Sequence, residues 1–174
     1  QADIAEFVQK FAAKVFSEGG SIVHGSHPSF TEPLRKAAEN FIQAGGSKGA
    51  LTLVRAKSYS TEQYTAEIEE QRTFASVEIV PADNSDWMAD RSDVVVCVGG
   101  AWWDVNKAKA GVPNELDTML ELGKPGFVVA GFGGAIAGYL EDDPSLLSRL
   151  RNGLAEDVNQ TIAKSNSADQ VVKL

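Results

Sequence analysis

The feature that most constrains the fold is an unbroken apolar run that ends in two glycines. Val94–Val98 consists of four valines and one cysteine, and Gly99-Gly100 follows it directly. A β-branched run without polar alternation is typical of a strand buried on both faces, as in a parallel sheet. A second apolar run, Phe127–Ala130, leads into a glycine-rich segment in the same way. Because parallel strands need a crossover connection, the pattern predicts strand, helix and strand, with the helix over Pro113–Leu122.

The first half of the chain repeats this alternation of elements. Apolar segments predict three further strands, at Ser21–His24, Ala50–Ala56 and Phe74–Val80. Apolar residues at helical spacing predict amphipathic helices before the first of these strands, after it, and near the end of the chain. The sequence therefore predicts an α/β fold in a single domain over residues 1–174, built on a doubly wound parallel sheet of about five strands.

Turns of small residues follow three of the predicted strands. They consist of Gly25, Ser26 and His27, then Gly99 and Gly100, then Gly133, Gly134 and Ala135. In open α/β sheets ligands bind at the carboxyl ends of the strands, and glycine lets backbone amides approach a ligand closely. We expect the two later turns to face one crevice, the last of them as an amide cradle, and the first turn to contact a phosphate or a ribose. The alternative for each is an ordinary tight turn, and the last fits the start of a helix equally well.

The helix after the first turn has two possible starts. Ser29 and Glu32 have the spacing of a capping box, and Thr31 with Pro33 offers a start slightly later. Either start would present free amides and the positive end of a helix dipole beside the first turn. Such a helix terminus is a natural binding site for an anion.

Charged and aromatic side chains complete the candidate site. Arg55, Lys57 and Tyr59 follow the second strand, where cations and an aromatic ring could hold a phosphate and a base. Glu115 is predicted in the first turn of the helix after Gly99-Gly100. It would accept hydrogen bonds from ribose hydroxyls or stabilise an oxocarbenium-like centre. A glutamate near a helix N-terminus is also favourable for the dipole alone, so this second interpretation stays open.

The segment Ala101–Ala110 contains two adjacent tryptophans, Trp102 and Trp103. Two neighbouring indoles rarely point the same way, so we expect one to pack on the core and the other to line the crevice or a subunit interface. Lys107 and Lys109 are either solvated or part of a lid that meets phosphate.

Composition excludes several classes of function. The net charge of −8 makes the chain a poor general binder of nucleic acid or of an anionic membrane. Cys97 is the single cysteine, lies in an apolar run, and is expected to be a buried core residue. His24 and His27 are too few for a metal site, so no metal or cofactor is expected. With no spanning stretch or signal peptide, we expect a cytoplasmic protein, and the start at Gln1 suggests a domain cut from a longer one.

One segment carries a family resemblance. Val23–Thr31, with the sequence VHGSHPSFT, resembles the "GGHPSFT" turn of the SLOG superfamily, specifically its STALD branch. That branch accompanies TIR and sirtuin-type NAD-hydrolysing domains in bacterial antiphage systems of the Thoeris kind. The resemblance extends over most of the chain, because the later glycine segments fall in the order expected for the family.

The resemblance implies a Rossmann-like sensor domain that binds a cyclic ADP-ribose isomer, or a related adenine nucleotide, made by a TIR protein. Binding would rearrange a homodimer or higher homo-oligomer and switch on a fused or partner TIR or sirtuin-type effector that depletes NAD. The two phosphates would lie at the first turn, the capped helix and Arg55 or Lys57. The ribose would lie near Glu115, and the remainder of the ligand near the two later glycine turns.

Departures from the family pattern favour binding without turnover. Related phosphoribohydrolases carry a compact GGxGTxxE motif, whereas here ten residues, Ala101–Ala110, separate Gly100 from Gly111. Those enzymes also place a catalytic arginine four residues before a methionine, and alignment on Met88 puts Asn84 there. Glycosidic cleavage needs charge stabilisation and leaving-group assistance.

Two alternatives stay open. Arg91 could replace the missing arginine, which leaves a nucleotide N-glycosidase, phosphoribohydrolase or deoxyribosyltransferase-like enzyme that uses Glu115 as its carboxylate. The other alternative is a structural oligomerisation domain with the two tryptophans at its interface.

Overall fold

The computed structural model of the protein describes residues 2–59, 64–81 and 84–172. The chain forms two compact units, one over Ile4–Arg91 and the other over Ser92–Leu174. We call them the N-terminal unit and the C-terminal unit. Each has its own parallel sheet and its own apolar core.

The N-terminal unit alternates helices and strands. Its elements are α1 (Ala2–Ser17), β1 (Ile22–His24), α2 (Pro28–Gln43), β2 (Leu51–Ala56), α3 (Thr65–Phe74), β3 (Ser76–Val80) and α4 (Asn84–Arg91). The three strands are parallel in the order β1-β2-β3, with Ile22 opposite Leu51 and Thr52 opposite Ser76. The carboxyl ends of β1 and β2 therefore lie at the same edge of this sheet.

The core of the N-terminal unit follows from amphipathic helices packed on an apolar strand. Helix α1 buries Phe7, Val8, Ala12 and Phe16, whose spacings of one and four residues place them on one face of the helix. Strand β2 is the central strand of its sheet, and Leu51, Leu53 and Val54 are at most 1% exposed. A central parallel strand is covered on both faces, which explains why its apolar run is nearly continuous.

The C-terminal unit contains the two strands predicted from the glycine-terminated runs and the helix predicted between them. Its elements are β4 (Val95–Val98), α5 (Gly111–Glu121), β5 (Gly126–Val129), α6 (Ala135–Asp142), a 3-10 helix (Pro144–Arg149), α7 (Glu156–Lys164) and α8 (Ala168–Val171). Strands β4 and β5 are parallel, with Val95 opposite Gly126 and Val98 opposite Val129. Leu116, Ile136 and Leu146 are fully buried in the core beside these strands.

The α/β class and the five predicted strands are confirmed, and all of their pairings are parallel. The described strands pair as one sheet of three and one sheet of two, and not as the single five-stranded sheet that we expected. One strand boundary was wrong. Phe74 is the last residue of α3 and is 2% exposed, because its ring anchors that helix in the core.

Candidate functional site

The turn after β1 is fastened to the carboxyl end of β2. The Ser26 amide donates to Nδ1 of His24 over 3.1 Å, and the Ser26 hydroxyl donates to the carbonyl oxygen of Val54 over 3.0 Å. Ser26 has a φ of +57°, a left-handed conformation that a non-glycine residue seldom adopts. Burial, with a smaller contribution from the nearby His27, lowers the pKa of His24 to about 4. His24 is therefore neutral near pH 7, which leaves Nδ1 free to accept the Ser26 amide.

Helix α2 begins earlier than either predicted start. Pro28 is its first residue, and Nδ1 of His27 accepts the Ser29 amide over 3.3 Å as the N-cap. The carbonyl oxygen of His27 also accepts the amides of Phe30 and Thr31. The prediction of a capping box formed by Ser29 and Glu32 was wrong. Proline suits the first helical position, so the helix begins at Pro28 and its N-cap is His27. These three amides at the start of α2 are thus satisfied by His27 itself.

Arg55 is a buried structural residue at the end of β2. Its side chain is 6% exposed, donates from Nε to Gln71 over 3.0 Å, and forms an ion pair with Glu67. The ring of Tyr64 lies 5.8 Å from the guanidinium carbon. Arg55 is therefore already paired on α3, whereas Lys57 is exposed and lies in the 3-10 turn Lys57–Tyr59. The side chain of Tyr59 lies outside the described residues.

The two glycine turns of the C-terminal unit are joined to each other. The amides of Ala135 and Ile136 donate to the carbonyl oxygens of Gly100 and Gly99 over 3.2 and 3.0 Å. A Cβ placed on Gly134 would lie 2.5 Å from the carbonyl carbon of Gly99. The carboxyl ends of β4 and β5 thus share one small-residue surface. Two amides that could have formed an anion cradle at the start of α6 are committed to this joint.

The start of α5 reaches the same surface. A Cβ on Gly100 would lie 3.0 Å from Cβ of Ala135 and 3.1 Å from a methyl carbon of Val112. Helix α5 begins at Gly111 after Ala110, which provides no side-chain cap, and a Cβ on Gly111 would meet nothing within 4 Å. The first amides of a helix have no intrahelical partner, and here the exposed Gly111 and its neighbour Val112 carry them, because Pro113 has no amide hydrogen.

Glu115 lies just beyond the first turn of α5, and not within it as predicted. It is the fifth residue of the helix and is half-buried. Gly111 and Val112 are helical because Pro113 needs no amide donor in the first turn of a helix. The charge of Glu115 also affects the pKa of the buried Cys97 thiol. Burial, and then the charges of Glu115 and Asp117, raise the pKa of Cys97, so the thiol stays protonated.

The two tryptophans differ in their surroundings: Trp103 packs on the protein, whereas Trp102 is exposed. Trp103 packs on Tyr139 with ring centroids 5.1 Å apart, and its Nε1 donates to Asp142 over 3.1 Å. Lys107 forms an ion pair with the same Asp142, and its hydrogen bond lowers the pKa of that carboxyl. Trp102 instead is 55% exposed. The segment Ala101–Ala110, which we call the tryptophan loop, is thus fastened to α6 through Trp103 and Lys107.

A cleft in the C-terminal unit was not predicted. It has a volume of about 690 Å³ and is lined by Asp117, Leu120, Glu121, Tyr139, Ser148, Arg149 and Arg151. Tyr139 donates to Asp117 over 2.6 Å inside it. Burial, followed by this hydrogen bond, raises the pKa of Tyr139. Its residues come from α5, α6 and the segment after α6, and no motif in the sequence marks them as neighbours.

Arg91, the possible replacement for a catalytic arginine, stacks on its own helix. Its guanidinium carbon lies 4.1 Å from the centroid of the Trp87 ring. The side chain of Asn84 lies outside the described residues. Over residues 2–59, 64–81 and 84–172, no group of three histidine, cysteine or acidic residues is placed to hold a metal ion. None of the helices described here has the length and apolar character needed to cross a bilayer.

A scan against protein-family models and a search of curated proteins both find no match to the chain.

Proposed function

We propose that this chain is a ligand-sensing regulatory domain of the STALD type within the SLOG superfamily. Its ligand is a cyclic ADP-ribose isomer or a related adenine nucleotide, and binding switches on a fused or partner NAD-depleting effector in antiphage defence. Domain and oligomer rearrangement transmits the signal. The proposal rests on the resemblance of Val23–Thr31 to the family turn, together with the geometry of the C-terminal unit.

The observation that carries the proposal is the surface shared by β4, α5 and α6. A Cβ added to Gly100 would press on both Val112 and Ala135, so the uncapped start of α5 packs closely against this turn. An added Cβ would meet nothing within 4 Å at Gly111 and Gly133, so a ligand has room to approach the backbone there, and the positive end of the α5 dipole favours a phosphate. Glu115, one turn along α5, supplies a carboxylate for ribose hydroxyls.

Binding without cleavage is the form of the proposal that the side chains favour. Arg91 is stacked on Trp87 within α4, so its guanidinium is engaged on its own helix. Arg55 is likewise paired with Glu67 and Gln71. Neither arginine is presented as an unengaged cation to a leaving group, which glycosidic cleavage would require.

Matched substitutions on α5 test the proposal. Glu115→Gln removes the charge proposed to meet the ribose, and Glu121→Gln makes the same change at an exposed position on the same helix. We expect calorimetric titration with ADP-ribose to show about tenfold weaker binding for Glu115→Gln and unchanged binding for Glu121→Gln. Equal affinities in both variants would remove Glu115 from the site. Release of free base by the wild type, abolished in Glu115→Gln, would instead support an N-glycosidase.

A further inference from the structure

Trp102 is exposed although the tryptophan loop that carries it is held in place. Trp103 and Lys107 fasten the loop to Asp142, and Ala110 at its end is fully buried. The indole of Trp102 remains 55% exposed on this fixed support. Tryptophan is enriched among the residues that carry most of the binding energy at interfaces.

The backbone of Trp102 is also strained. Its φ is +77°, in the left-handed region that tryptophan rarely adopts. The carbonyl oxygen of Trp102 accepts the amides of Val105 and Asn106 over 3.1 and 2.7 Å, which fixes this conformation. These two hydrogen bonds hold the backbone from which the exposed indole projects. Strain of this kind is concentrated at sites that hold ligands.

The position and surroundings of the ring indicate which ligand it suits. Trp102 is two residues beyond Gly100, whose turn forms the shared surface of β4, α5 and α6. The ammonium nitrogen of Lys109 lies 5.9 Å from the centroid of the Trp102 ring. An aromatic face with a cation beside it complements a planar heterocyclic base linked to a phosphate.

We propose that Trp102 is a stacking platform for the base of the bound nucleotide, with Lys109 placed to meet one of its phosphates. This inference rests on the proposed function and adds the part of the site that distinguishes a nucleotide from a sugar phosphate. The tryptophan loop is the ten-residue segment by which the chain departs from the compact family motif. The platform is thus a feature of this chain's own loop.

Binding to ligands with and without a base tests the platform. ADP-ribose carries the base, and ribose 5-phosphate lacks it. We expect Trp102→Ala to weaken ADP-ribose binding roughly tenfold, Trp102→Phe to retain most of the affinity, and ribose 5-phosphate to bind both variants and wild type equally. Val105→Ala, at a 79% exposed position of the same loop, is the matched control and should bind like wild type. ADP-ribose should also quench tryptophan fluorescence in wild type and less in Trp102→Phe.

The outcomes separate this inference from the proposed function. Equal ADP-ribose affinity in wild type and Trp102→Ala, with circular dichroism unchanged, overturns the platform and leaves the sensor proposal standing. Failure of wild type to bind any adenine nucleotide overturns both. A self-association that disappears in Trp102→Ala, with nucleotide binding unchanged, would assign the exposed indole to a second copy of the chain and also overturn the platform.

Discussion

The amide of Ile136 donates a hydrogen bond to the carbonyl oxygen of Gly99 over 3.0 Å. This bond joins the start of α6 to the turn after β4, and the bond from Ala135 to Gly100 lies beside it. The carboxyl ends of two neighbouring parallel strands are therefore held as one surface. The glycines in this joint have separable roles, because some contact the opposite turn and others face open space.

Two neighbouring glycines should differ in how they tolerate alanine. Gly133 and Gly134 have φ values of +78° and +81°. A Cβ on Gly134 would collide with the backbone of Gly99, whereas a Cβ on Gly133 meets nothing within 4 Å. We expect Gly133→Ala to lower the free energy of unfolding by about 1 kcal/mol and Gly134→Ala by about 3 kcal/mol or more. Urea denaturation measures both free energies of unfolding. Equal losses in the two variants would contradict the close contact between the turns at Gly99 and Gly134.

The anchoring of the tryptophan loop can be tested from the α6 side. A Cβ on Gly138 would lie 2.2 Å from Cδ1 of Trp103, so Gly138→Ala should displace that indole. We expect faster tryptic cleavage after Lys107 and a red-shifted tryptophan emission, because the loop would lose its attachment to α6. Gly111→Ala, where a Cβ meets nothing, is the control and should be cleaved like wild type. Unchanged cleavage in Gly138→Ala would show that Trp103 does not anchor the loop.

The two cations after β2 should differ in their effect on stability. Arg55→Ala leaves the side-chain amide oxygen of the buried Gln71 without the hydrogen bond from Arg55 Nε. It also breaks the ion pair with Glu67. We expect it to lower the free energy of unfolding by about 2 kcal/mol. Lys57→Ala, at an exposed position, should change it by less than about 0.5 kcal/mol. Urea denaturation of both variants decides this, and a stable Arg55→Ala protein would contradict the structural role of Arg55.

The neutral state of His24 predicts a pH dependence. The pKa of His24 is about 4 in the folded chain, below the ordinary value of 6.5, so the unfolded chain takes up the proton more readily. Acidification from pH 6.5 to pH 4 therefore favours unfolding, by up to about 3 kcal/mol from this group. His24→Asn keeps an acceptor for the Ser26 amide and cannot titrate. Its loss of stability over that pH range should be smaller than that of wild type, and identical pH profiles would contradict the assignment.

The parts of the fold that depend on local pattern could be predicted from the sequence. Val95–Val98 and Gly126–Val129 lie where their apolar runs indicated, because strand formation and burial follow from side chains close together in the chain. The cap of α2 was wrong because the preference of Pro28 for the first helical position prevailed over the capping-box spacing.

The parts that depend on distant residues could not be predicted. Trp103 donates to Asp142, 39 residues away, and no spacing rule connects them. The sequence suggested that Arg55 is an available cation at the end of a strand. In the structure it forms an ion pair with Glu67 and a hydrogen bond with Gln71, both on α3. Pairing between strands is likewise decided by packing over long separations, which is why five predicted strands did not by themselves give one sheet.

The central claim is tested most directly by calorimetric titration of the protein with ADP-ribose, NAD and the cyclic ADP-ribose isomers. Chromatography of each mixture afterwards shows whether the ligand survives. We predict that one cyclic isomer binds tightly, is recovered intact and changes the oligomeric state. Absence of binding to every nucleotide would contradict the sensor, and recovery of a cleaved ligand would show an enzyme in its place.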